Sequence, residues 1–120
     1  MKYILMIDEH KDFREATKRY IRTRGINAEI IEAATAIQGI KAAIEHQPEI
    51  VIIDFHLGQG FNGLSVAAKI KDKLPACKVI MLTLCAMSEI KGFCKTKDVQ
   101  EIINKNDLGA QLIPAINRLL

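Results

Sequence analysis

Tryptophan is absent from this 120-residue chain, and aromatic residues make up only 5% of it, so its core must be aliphatic. The longest apolar runs are about five residues, far short of the roughly 20 that a helical membrane span needs. No signal peptide is evident, because Lys2 leads into a strand-like run that meets acid at position 8. The three cysteines, Cys77, Cys85 and Cys94, are odd in number and have neither CxxC nor metal-ligand spacing. They read as small buried hydrophobes in a reducing cytoplasm. The net charge of +3 is mild and lacks a basic stripe with interleaved aromatics, which argues against direct nucleic-acid binding. No internal repeat, low-complexity tract or linker interrupts the chain, so residues 1–120 are expected to form a single domain. A hydrophobic fraction of 49% excludes a disordered chain.

What is present is a regular alternation of strand-like and helix-like patterns. Tyr3 to Ile7 reads as a buried strand, followed by Phe13, Ala16, Tyr20 and Ile21 at helical spacing and Gly25 as a stop. Ile26 to Ile31 gives a short strand. Ala36, Ile37, Ile40, Ala43 and Ile44 give a second helix that Pro48 ends. Ile50 to Ile53 is a third strand, and Leu64, Ala67, Ala68 and Ile70 mark a helix before Pro75. Cys77 to Leu82 is a fourth strand, residues 87–95 a weaker helix, and Val99 to Ile103 a fifth strand. Leu112, Ile113, Ile116 and Leu120 close the chain in a fifth helix, with Asn106 or Asp107 placed to cap it. Five strand–helix units imply an α/β fold, a parallel sheet with helices on both faces.

A parallel sheet collects the C-terminal ends of its strands at one edge, where open α/β sheets place their ligands. That edge receives Asp8 and Glu9 after the first strand, Asp54 after the third, Thr83 after the fourth and Lys105 past the fifth. Three carboxylates together cost free energy unless a cation offsets them. Clustered oxygen donors suit a hard divalent ion such as Mg²⁺. With a lysine and a hydroxyl beside them, they could hold a phosphoryl group on a carboxylate, for which Asp54 is the natural nucleophile.

With these motifs in order, the chain resembles the receiver domain of two-component response regulators over essentially its whole length. The resemblance rests on Asp8-Glu9, on Asp54 after Ile50-Val51-Ile52-Ile53, on Thr83 after Val79-Ile80-Met81-Leu82, and on Lys105 within Ile102 to Leu108. It implies a flavodoxin-like, doubly wound five-stranded parallel sheet of order 2-1-3-4-5 flanked by five helices. It further implies that Asp54 is the phosphoacceptor for a sensor histidine kinase. Asp8, Glu9, Asp54 and the backbone carbonyl of His56 would bind Mg²⁺, Thr83 would be the switch hydroxyl, and Lys105 would bind the phosphoryl group. Such a domain is cytoplasmic and is not an enzyme in its own right, although it assists its own phosphoryl transfer and dephosphorylation. Phosphorylation would alter the face made by the fourth helix, fifth strand and fifth helix, through which a homodimer is expected.

Several positions depart from the family pattern. Glu9 replaces a second Asp, Gly58 stands where proline is common, and the loop to Gly63 is one residue longer than usual. Leu84 follows Thr83 where a small residue leaves the acceptor accessible, and Ile102 takes the place of a switch Tyr or Phe. Asp98-Val99 replaces the Gly-Ala pair that usually precedes the fifth strand. These motivate an alternative, a pseudo-receiver that keeps the fold as a protein-interaction module without switching by phosphorylation. A flavodoxin-like electron carrier is disfavoured, since no Ser/Thr/Gly-rich loop follows the first strand and stacking aromatics are scarce. The His56 ring reads as a solvated loop residue, and Lys18, Arg19, Arg22 and Arg24 as the solvated face of a helix.

Overall fold

The computed structural model describes residues 1–84 and 98–120. Its elements are β1 (Tyr3–Ile7), α1 (Lys11–Thr23), β2 (Glu29–Ala33), α2 (Ala36–His46), β3 (Ile50–Asp54), α3 (Gly63–Lys73), β4 (Lys78–Thr83) and β5 (Glu101–Asn104). A single 3₁₀ turn (Lys105–Asp107) then leads into α4 (Leu108–Leu119). The helix expected over residues 87–95 lies outside the described residues, as do Cys85 and Cys94. All strand pairings are parallel, and the order is β2-β1-β3-β4-β5, the doubly wound arrangement expected.

Alternation along the central strands builds two aliphatic layers. Leu5, Ile7, Val51, Ile53, Val79 and Met81 face one way, toward α2 and α3. Ile4, Met6, Ile50, Ile52, Ile80 and Leu82 face the other, toward α1 and α4. Both faces of β1 and β3 are therefore sealed, which explains their unbroken apolar runs.

The helices meet the sheet through narrower strips than the spacing of large residues indicates. On α2 the buried residues are Ala36, Gly39 and Ala43, while Ile37 and Ile44 are 66% and 50% exposed. Small residues set that contact because the helix lies so close: a Cβ at Gly39 would stand 2.5 Å from Ile7 Cδ1. On α1 Thr17 and Ile21 are buried, and the expected Ala16 faces solvent. β5 is shorter and begins later than expected, at Glu101, with Val99 and Ile102 half-buried against the α2/α3 layer. Asp107 stands at the start of α4 but makes no side-chain capping bond. Asn104 instead caps the 3₁₀ turn by accepting from the Asn106 N–H.

Cys77, at the foot of β4, is buried, as its apolar reading requires. Burial pushes its thiol from 9.0 up to about 11, with Lys71 and Lys78 opposing and Glu49 adding to the rise. The unfolded chain therefore loses this proton near pH 9 while the native protein keeps it to about pH 11. Stability should fall across that window by about 2–3 kcal/mol, a loss absent from Cys77→Ala. Urea unfolding of both proteins between pH 8 and 11 checks this; parallel pH profiles would contradict it.

Candidate functional site

Strand register assembles the site. Ile7 pairs with Ile53, so the residues that follow them, Asp8 and Asp54, end adjacent strands at the same level. Asp54 pairs with Leu82, which puts Thr83 one step beyond, and Thr83 pairs with Asn104, which delivers Lys105. Four residues distant in sequence thus reach one edge because the aliphatic strands have a single way to align their buried faces.

The Lys105 ammonium sits between the two acids, donating to Asp8 Oδ2 at 3.0 Å and to Asp54 Oδ2 at 3.1 Å. The Asp8 and Asp54 side chains are only 3% and 6% exposed, and that of Lys105 only 10%. The other face of the ammonium lies 4.2 Å from the centre of the Phe13 ring, a cation–π contact in a dry setting. Asp54 Oδ1 accepts the backbone N–H of His56 at 3.2 Å. Thr83 is fully buried beside this group.

Asp8 is held from three further directions. The backbone N–H of His10 donates to its Oδ1 at 2.8 Å, and His10 Nδ1 lies 3.0 Å from the same oxygen. Arg14 Nη1 donates to its carbonyl at 2.6 Å, while Arg14 Nε is held by Glu32 at 3.2 Å. Close packing also fixes Asp54, because α3 begins against its backbone: a Cβ at Gly63 would lie 2.4 Å from the Asp54 carbonyl oxygen. Asn62 secures that start by accepting from the Ser65 N–H.

The residues selected from sequence are not equivalent in the structure. Asp8, Asp54 and Lys105 converge, and Thr83 adjoins them. Glu9 stands apart, half exposed, with its carboxylate over the loop after β3: a Cβ at Gly58 would lie 2.9 Å from Glu9 Oε2. Among the described residues, the ligand-capable side chains whose donor atoms lie within 4.8 Å of one another are Asp8, His10 and Asp54. His10, Phe13 and Arg14 were not singled out as site residues from sequence. Their one local signal is position, within six residues after the first strand-end acid. Leu84, expected to hinder the acceptor, is 65% exposed.

Burial raises the Asp54 carboxyl above its ordinary 3.8, Lys105 opposes this, and the neighbouring charge of Asp8 adds to it. An ionised Asp54 therefore costs stability at neutral pH, and that cost disappears as the group protonates. Without divalent cations, Asp54→Asn should melt higher than the wild type at pH 7, and the difference should close as pH falls below 3.8, the ordinary value. Thermal unfolding in EDTA across this range is the check, and a variant that melts lower at pH 7 contradicts the account.

The profile of the response regulator receiver domain matches residues 4–117. Over 113 residues the chain is 25% identical to the oxygen regulatory protein NreC of Staphylococcus epidermidis, covering 94% of this chain and 52% of that protein. It thus spans about half the length of the curated relatives it matches. A response regulator protein of Thermotoga maritima, TrrA, solved in complex with Mg²⁺ and BeF, is 28% identical, with a TM-score of 0.87 over 100% of both chains. A LuxR-family two-component response regulator of an Aurantimonas species is 26% identical, with a TM-score of 0.88 over 97% of this chain and 82% of that one. With strand order, strand-end acids and profile in agreement from end to end, this chain belongs to the response regulator receiver domain family of two-component signalling.

Proposed function

We propose that Asp54 accepts a phosphoryl group from the phosphohistidine of a sensor kinase, or from a small donor such as acetyl phosphate, with the help of Mg²⁺. The observation that carries this reading is the Lys105 ammonium seated between two buried carboxylates. Two carboxylates against one ammonium leave a net negative charge at a dry sheet edge, a donor set that fits a hard divalent cation. Asp8, Asp54 and the backbone carbonyl of His56 would hold it, with Glu9 adding negative charge from the rim. Once bound, Mg²⁺ supplies neutralisation of the phosphoryl oxygens.

The rest is work for the chain's own residues. An Asp54 oxygen forms the new O–P bond while the bond from phosphorus to the donor's imidazole nitrogen, or to its acetyl oxygen, breaks and departs with its electron pair. Lys105 offsets the charge that remains on the phosphoryl oxygens, and the Thr83 hydroxyl donates to one of them. The domain thereby assists its own modification and its reversal without turning over a separate substrate. The reading places it in the cytoplasm, opposite a sensor kinase. Among the described residues no helix is long and apolar enough to cross a membrane.

One observation favours the second reading, an interaction module that does not switch. Ile102 is half-buried against the α2/α3 layer and offers no aromatic ring to rotate when Thr83 moves. Acetyl phosphate with Mg²⁺ should add about 80 Da to the intact protein and nothing to Asp54→Asn, as an aspartyl phosphate requires. Amide NMR of the modified protein should then shift residues 98–116 as well as 8, 54 and 56. An adduct with no shifts beyond the site would support the non-switching module. No adduct from either acetyl phosphate or a phosphorylated kinase would sink the phosphoacceptor role.

A further inference from the structure

We infer that His10 is a third side-chain ligand of this cation site and biases it toward borderline d-block divalent ions relative to Mg²⁺. This rests on the cation-binding reading above. Lys105 occupies Oδ2 of both Asp8 and Asp54, so the remaining oxygen of each is Oδ1. The imidazole of His10 lies against that side of Asp8, with Nδ1 3.0 Å from Oδ1. Its donor atom is within 4.8 Å of those of both Asp8 and Asp54.

The ring is placed there by the backbone. The His10 N–H bonds the same Asp8 oxygen, and the residue occupies the N-cap of α1 in an extended conformation. An N-cap side chain commonly spends its acceptor on the first helical turn. His10 makes no such bond, so the helix does not consume its ring nitrogens.

Glu9, the second acid of the pair, is drawn away over Gly58 and stands outside the group. An imidazole nitrogen thus takes the place that a carboxylate oxygen would fill. Imidazole suits Co²⁺, Ni²⁺ or Zn²⁺, whereas Mg²⁺ prefers oxygen and keeps its waters. Coordination through Nδ1 leaves the ring proton on Nε2, so a neutral imidazole needs only a change of tautomer.

The test is titration calorimetry of the full chain with Mg²⁺ and Co²⁺ separately, for wild type, His10→Ala, His10→Asn and His46→Ala. The His10 side chain is 62% exposed, so its variants should fold, and circular dichroism verifies this. His10→Ala and His10→Asn should weaken Co²⁺ by at least about tenfold, the scale of losing a metal-supporting group. Mg²⁺ should change by less than about twofold, since the oxygen donors remain. His46→Ala should behave as wild type. In the wild type, Co²⁺ should also produce a paramagnetically shifted imidazole N–H resonance that the His10 variants lack. Equal changes for both cations, no loss of Co²⁺ binding, or an intense thiolate-to-cobalt absorption band would each overturn the inference. If wild type binds Mg²⁺ and takes the phosphoryl group but the Co²⁺/Mg²⁺ ratio ignores His10, this inference alone fails. If wild type binds neither cation, the cation-binding reading fails with it.

Discussion

The ammonium of Lys105 is the counter-charge on which the functional edge of the sheet depends. Two carboxylates less than a tenth exposed could not stand side by side unassisted, because burial and mutual repulsion both disfavour their ionised forms. Removing one partner of a buried ion pair typically costs 3–5 kcal/mol, several times the worth of a surface pair. Lys105 bonds both acids, and the Phe13 ring covers its other face. The compensation is incomplete, since the Asp54 carboxyl stays above its ordinary value. Under the proposed function, a bound cation offsets what remains.

Everything else in the fold serves to deliver those three groups. The aliphatic strands align in one register, which sets Asp8 beside Asp54 and brings Thr83 and Lys105 in from the far strands. Small residues then let the helices close in: Gly39 on Ile7, and Gly63 on the backbone of Asp54. Arg14 reaches from α1 to the Asp8 carbonyl and is itself held by Glu32 of β2. The strand-end edge is therefore braced from both layers, which suits the phosphoacceptor role proposed for it.

The sheet was legible because its signals are local and redundant. Runs such as Ile50 to Ile53 name buried strands without knowledge of their neighbours, and the acids that end them mark the edge. Strand order came from the resemblance, because periodicity does not choose between topologies. The helix faces were read less well. Ile37 and Ile44 look like core by spacing, but close approach to Ile7 selects Ala36, Gly39 and Ala43 instead. His10, Phe13 and Arg14 went unnoticed as site residues because their roles exist only once α1 is folded against the sheet edge. Glu9 was grouped with Asp8 by adjacency, and its carboxylate stands over Gly58, outside the group of Asp8, His10 and Asp54.

The central claim is that Lys105 favours the ionised form of a buried Asp54 that would otherwise stay protonated to higher pH. Carbon-13 NMR titration of the Asp54 side-chain carboxyl, in wild type and in Lys105→Met without divalent cations, measures this directly. The carboxyl should titrate at clearly higher pH in the variant, since both burial and Asp8 raise it and the opposing charge is gone. An unchanged or lower titration midpoint in Lys105→Met would contradict the account.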